Sequence, residues 1–193
     1  MKDILVSLKP YYYYLIGEGI KTNEIRKSMP KSDNWSKNGW FYMSKDNKSF
    51  AKIPKKFQEK YRKHFGKVGL KFVCDRIDEY SYDQAFDESM GVYIDKYGYD
   101  ITSYELGQTC LTYEDFENYG NTNRLYGWHI SNLVIYDKPK ELGEFKTECN
   151  GICLDTKTKK KCDRITVDGF SCNGLKPIER PFQSWGYVYA EEN

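Results

Sequence analysis

Long hydrophobic runs are missing from this sequence. No stretch reaches about eighteen apolar residues, so no membrane-spanning helix is expected. The N-terminal MKDILVSLKPYYYY has too short an apolar run for a secretory signal. A cytoplasmic location is the expectation. A charge of one sign is also missing. The formal net charge is only +2, so the overall balance selects no class of partner. No internal repeat is visible, and low complexity is confined to YYYY and KTKKK. Histidine occurs only twice.

Tyrosine, by contrast, is abundant, at eighteen of 193 residues. It combines packing area with a polar tip and can stack on flat ligands. The charges are segregated. Residues 45–67 hold nine Lys/Arg against Asp46 and Glu59, while residues 75–120 hold twelve Asp/Glu against Arg76 and Lys96. The folded chain should carry separate basic and acidic regions. A chain of this length supports one domain with a real core.

The expected elements follow from local pattern. ILVSL (4–8) reads as a strand. PYYYYLIGEG reads as a helix opened by Pro10 and closed by Gly17 and Gly19, with Tyr11, Tyr14 and Leu15 on one face. KTNEIRKSM and GWFYMSK (39–45) read as strands. The basic segment places Phe57, Tyr61 and Phe65 at helical spacing. KVGLKFVCDRIDEY (67–80) and LYGWHISNLVIYD (125–137) each read as one long strand, KPKELGEF as a loop, and SWGYVYA (184–190) as the last strand. Residues 83–120 read as an acidic helical insert of two helices, with N-caps in ITSYE and LTYED. The tally of five or six strands with helices to one side predicts an α+β fold, a small partly closed β-barrel with flanking helices.

Six cysteines in a reducing compartment are available to bind metal. Cys149, Cys153, Cys162 and Cys172 form a Cys-rich insert (149–172) with spacing C-x3-C-x8-C-x9-C. Structural zinc wants four thiolate or imidazole ligands, usually as two close pairs. Only Cys149 and Cys153 make such a pair, so zinc, free thiols and disulfides all stay open. Bound zinc would turn KTKKK into a fixed basic finger. Cys74, on a strand, is expected to act as a small buried apolar residue.

GIKTNEIRK (19–27) concentrates polar groups. On a strand, Thr22, Glu24 and Arg26 share one face, and Asn23 and Ile25 the other, with Ile25 toward the core. Arg26 is suited to a bidentate phosphate grip and Lys21 to a point-charge contact. Glu24 could accept from a base edge, orient Arg26 or act as a general base. The plainer reading is a Glu24–Arg26 ion pair on a solvated strand, worth about 0–1 kcal/mol.

The order of motifs resembles the ASCH domain of the PUA-like superfamily. The matching pieces are ILVSLKPYYYYLIGEGIKTNEIRK, KVGLKFVCDRIDEY, YGWHISNLVIYDKPKELGEF and RPFQSWGYV, with G-x-K-T-x-E-x-R (Gly19 to Arg26) the most specific. The resemblance implies a single domain (1–193) with a cleft beside the first helix. It implies binding of RNA or nucleotides. Some members are hydrolases, including an amidohydrolase of acetylated cytidine, and some are similar to ribonucleases. In the amidohydrolase branch the motif resembles K-T-x-T-x-R, with the second threonine as nucleophile. This chain has Glu24 there, and a carboxylate cannot do that hydroxyl chemistry.

On this reading the candidate contacts to nucleic acid are Ser7, Lys9, Lys21, Arg26, His129, Gln183 and Trp185, with Lys55 and Lys56 on the backbone. Trp185 would stack on a base. RNA is favoured over duplex DNA because small barrels with aromatics suit unpaired bases. Three functions follow: an RNA- or nucleotide-binding module, a hydrolase using Lys21, Glu24 and Thr22, or a protein-interaction module docking through the acidic helices.

Overall fold

A computed structural model describes residues 1–31, 35–87, 92–148 and 175–190. The first strand, β1 (Lys2–Leu8), is covered on both faces. Ile4, Val6 and Leu8 enter one core, and Leu5 enters another. Double coverage explains why the segment is a continuous apolar run rather than an alternating one. Helix α1 (Pro10–Gly17) begins with Pro10 in its first turn. There the missing N–H loses no bond. Its end is fixed by close approach, since a side-chain carbon at Gly17 would collide with the Tyr61 ring. Gly19 then turns the chain through φ +70°, which favours glycine.

The chain continues through β2 (Asn23–Arg26), β3 (Trp35–Met43), α2 (Asn47–Phe50), α3 (Lys55–Arg62), β4 (Val68–Val73), β5 (Ile77–Tyr80), β6 (Tyr82–Asp87) and β7 (Val92–Tyr99). Then come α4 (Ser103–Thr109), α5 (Tyr113–Gly120), β8 (Leu125–His129), β9 (Ser131–Lys140), β10 (Lys146–Glu148), β11 (Leu175–Pro177) and β12 (Trp185–Val188). A five-stranded sheet runs β12-β1-β3-β4-β9, and only its β1–β3 pair is parallel. A three-stranded sheet runs β2-β8-β5. β6 pairs with β7, and β10 with β11. The fold is mixed α+β with a sheet-rich core, and no closed ring of strands forms among the described residues.

The large sheet has a core on each face. Phe41, Met43, Leu70 and Phe72 join α1 on one side. Trp40, Tyr42, Val68, Phe145 and Val188 fill the other. A third cluster, Ile25, Tyr80, Tyr99, Phe116 and Leu125, ties β2 to α5.

Several expectations change. α1 buries Tyr13, Tyr14, Leu15 and Ile16 rather than a single stripe, because α3 covers the side away from the sheet. Tyr14 packs on Phe57 and Tyr61 of α3, which confirms the amphipathic spacing read there. The expected long strands 67–80 and 125–137 are each two strands in different sheets. The chain leaves the large sheet at Cys74–Arg76 and re-enters it after Ile130, and the two crossings brace each other. His129 N donates to Arg76 O, and Ser131 Oγ to Val73 O. Periodicity cannot show such a crossing, because both halves are genuine strands. KPKELGEF is not a plain loop: β9 runs to Lys140 and a 3₁₀ turn follows at Leu142–Glu144. The insert expected to be helical is a hairpin, β6–β7, before α4 and α5. The sequence VYIDKYGY is rich in aromatic and β-branched types that favour strands. The expected N-caps are present: Thr102 with Glu105 and Thr112 with Asp115 form capping boxes. Cys74 is buried, as expected. Cys149, Cys153, Cys162 and Cys172 lie outside the described residues.

Candidate functional site

The turn after α1 delivers Lys21 into the protein, where it is 3% exposed. Its ammonium is engaged on three sides. It donates to Asn23 O at 2.8 Å and Thr109 O at 2.5 Å, and stands 3.4 Å from Glu24 Oε2. It also lies 5.6 Å from the centre of the Tyr12 ring. Burial lowers the Lys21 pKa, and the Glu24 carboxylate opposes that shift. Glu24, 6% exposed, offers its other oxygen to Arg26 Nη2 at 3.0 Å. The same Nη2 donates to Ser7 O at 3.0 Å. A buried chain of three charges therefore links α1, β2 and α4 to β1.

The β2 alternation works as the sequence predicts on its inner side, where Ile25 enters the third cluster. The Glu24–Arg26 pair also exists. It is buried rather than solvated, so the surface-pair energy does not describe it. Removing one member of a buried pair typically costs about 3–5 kcal/mol.

This triad floors a cleft of about 340 Å³. Ser7, Lys9 and Gln183 stand around it, and Tyr12 and Tyr119 supply aromatic wall. Leu111 and Asp115 close it from the α5 side. Three cations face two carboxylates, so the lining is net positive. Burial, with Asp115 and Glu24 nearby, raises the Tyr12 pKa and keeps its hydroxyl protonated. Two polar atoms among the described residues here are buried without a hydrogen-bond partner: Ser7 Oγ and Arg26 Nε. Buried polar groups are nearly always paired, so two such atoms on residues of one cleft call for an explanation.

The cleft gathers Ser7, Lys9, Lys21, Glu24, Arg26 and Gln183 from the sequence-derived candidates. The others lie elsewhere. Thr22 sits before β2, its N–H bonded to Gln108 O and its carbonyl to Ile130 N. Trp128 is fully buried, and His129, facing the other way, pairs with Asp75 Oδ1 at 2.5 Å. Trp185 packs edge-on against Trp128 and Tyr187, and its Nε1 donates to Ser28 Oγ. Lys55 and Lys56 are exposed on α3, outside the cleft. Sequence reasoning missed Tyr12, Asp115 and Tyr119. Asp115 was visible only as a capping acid, and nothing local pairs a helix some 90 residues downstream with Lys21.

No protein-family model matches the sequence, and no curated protein matches it. Among solved structures, the chain is similar to ASCH from Zymomonas mobilis. That match has 16% identity and a TM-score of 0.42, and covers 73% of this chain and 74% of that one. A tyrosine-to-phenylalanine variant of the same protein matches at 15% identity and a TM-score of 0.41, over 77% of its length and 74% of this chain.

Proposed function

We propose that the chain is a nucleic-acid-binding module of PUA-like, partly closed barrel architecture, whose cleft receives one unpaired base of RNA. The observation that carries this reading is the pair of unpartnered polar atoms, Ser7 Oγ and Arg26 Nε, on residues that line a cleft whose charged floor is otherwise satisfied. Lys21 is not the phosphate contact in this reading. Its donors are occupied, and it holds Glu24 and Thr109 in place. Arg26 keeps a donor for the ligand, and Glu24 orients it. Tyr12 and Tyr119 supply π surface, which suits any base. The volume lies in the range of small-molecule sites.

A titration of nucleosides and short single-stranded RNA tests this. Arg26→Gln should weaken both by about tenfold, the loss of a charge-assisted hydrogen bond. Equal affinity in the variant would refute the reading.

One observation favours a hydrolase instead. A lysine whose pKa is lowered by burial, beside a carboxylate in a cleft, is a recurrent acid–base arrangement. That reading predicts turnover of a modified nucleoside that disappears in Glu24→Gln while the fold survives. Thr22, away from the cleft lining, takes no part in it.

A further inference from the structure

The nine Lys/Arg of residues 45–67 lie on and around α2 and α3, and the structure divides them into two groups. In the first group the charge is engaged. Lys60 pairs with Glu18 at 2.6 Å, Lys63 with Asp137 at 3.5 Å and Lys67 with Glu141 at 2.6 Å. The Arg62 guanidinium lies 4.0 Å from the centre of the Phe50 ring, and the Lys56 ammonium 4.9 Å from that of Phe57. The second group is Lys45, Lys48, Lys52 and Lys55. All four are exposed, and none has an ion-pair partner among the described residues.

The four form a stripe that begins at the cleft. Ala51 N bonds to Asn47 O, Lys52 N to Ser49 O and Ile53 N to Phe50 O, so helical winding continues through the turn after α2. Ser49, Phe50 and Ile53 are buried, which leaves Lys48 and Lys52, one turn apart, on the outer side. Lys45 precedes them by three residues, and Lys55 opens α3 just beyond. Two hydrogen bonds fasten the start of this segment to the cleft wall. Ser44 N donates to Leu8 O at 2.8 Å, and Tyr11 N donates to Ser49 Oγ at 3.1 Å. Leu8, Lys9 and Tyr12 line the cleft, and Lys9 is itself exposed without an ion pair among the described residues. The one acid between Lys45 and Lys55 is Asp46, and its carboxylate accepts from Ser49 N at 3.0 Å as the cap of α2. Positive potential therefore runs from the cleft mouth outward along α2.

We propose that this stripe carries the phosphodiester backbone of single-stranded RNA away from the cleft, with Lys9 at the mouth and Lys45, Lys48, Lys52 and Lys55 beyond it. The ligand class rests on the reading of the cleft as a base site, and the stripe supplies the path for the nucleotides that follow that base. An anionic membrane is the other polyanion that a lysine stripe could meet. A helix that lies on a membrane needs an apolar face to bury in it. Here Phe50 and Ile53 point into the core, and no large apolar side chain of residues 45–56 is exposed. The stripe therefore offers charge alone, which suits a phosphate backbone. It also separates two candidates read from the sequence: Lys55 belongs to the path, while Lys56 lies over Phe57.

The test uses a labelled single-stranded uridine oligomer, followed by anisotropy at low and high salt. The proteins are wild type, Lys48→Glu/Lys52→Glu, Lys63→Glu/Lys67→Glu and Arg26→Gln, each checked for folding by circular dichroism. The two double variants change the net charge equally, but only the first touches the stripe. Lys48→Glu/Lys52→Glu should lose about tenfold or more in affinity at low salt, and its salt slope should shrink by about 0.7 for each phosphate no longer neutralised. Lys63→Glu/Lys67→Glu should weaken binding by no more than about twofold, since charge away from the path is screened. Unaltered oligomer binding in the stripe variant overturns the proposal. So does an equal loss in both double variants, which would report net charge alone. No oligomer binding by wild type, or capture by phosphatidylserine vesicles in place of the oligomer, overturns it as well. If only the cleft reading fails, Arg26→Gln binds the oligomer like wild type while the stripe variant still weakens. If only the stripe fails, Arg26→Gln weakens binding and the stripe variant does not.

Discussion

The cleft and the outer edge of the large sheet use the same residue type in opposite ways. In the cleft, Lys21 is buried and hemmed in by two backbone carbonyls and a carboxylate. On β9, Lys138 stands exposed on an edge strand. Burial turns a lysine into part of the framework, because a charge removed from water must be paired where it sits. Exposure leaves its charge for a ligand.

Breaking the floor should have the largest effect. Glu24→Ala leaves Lys21 buried with one counter-charge gone, and should lower the unfolding free energy by about 3–5 kcal/mol in urea denaturation. A loss below about 1 kcal/mol would mean that the triad is solvated like a surface pair.

His64 extends the comparison to a buried group with no ion pair among the described residues, Asp137 acting only from a distance. It is 1% exposed, Nδ1 meets the Tyr13 hydroxyl at 2.9 Å, and Nε2 has no partner among the described residues. Burial, followed by Lys63 and Lys60, pushes its pKa down to about 4. The unfolded chain takes up a proton near pH 6.5 that the folded chain refuses until about 4. Stability should therefore be unaffected by His64 above pH 6.5, and fall by about 3 kcal/mol as pH drops from 6.5 toward 4. Denaturation curves across that window check it, and His64→Gln should flatten the slope.

A smaller effect is expected at the cleft wall. Thr112→Ala removes the cap of α5, whose hydroxyl accepts from Asp115 N at 3.0 Å. It should cost about 1 kcal/mol, visible as a lower Tm, and should loosen the wall carrying Asp115 and Tyr119. The smallest effect belongs to the exposed edge strand β9. Lys138→Ala should change stability by less than about 0.5 kcal/mol in urea denaturation. A large stability loss there would remove the distinction between the two regions.

Much of this was legible in the sequence. Pro10, Gly17 and Gly19 bounded α1, the Thr102 and Thr112 caps started α4 and α5, and β2 alternation placed Ile25 inward. These are local signals. The rest depended on contacts distant in sequence. Nothing near Lys21 reveals that Thr109 O will accept from it, which is why it read as a free cation. Nothing in LVIYDKPK reveals that Trp40 will lie beside it. The crossings at Cys74 and Ile130 were hidden because strand character continues through them.

The most direct test of the base-receiving cleft is Ser7→Ala. Its hydroxyl is buried without a partner among the described residues, so a structural role predicts no binding change, and a ligand role predicts a loss. The measurement is nucleoside affinity by calorimetry beside the unfolding free energy. The account predicts binding weaker by about three- to tenfold, one neutral hydrogen bond, with stability unchanged or slightly higher. Unchanged affinity, or a loss of stability that accounts for it, would contradict the cleft as the base site.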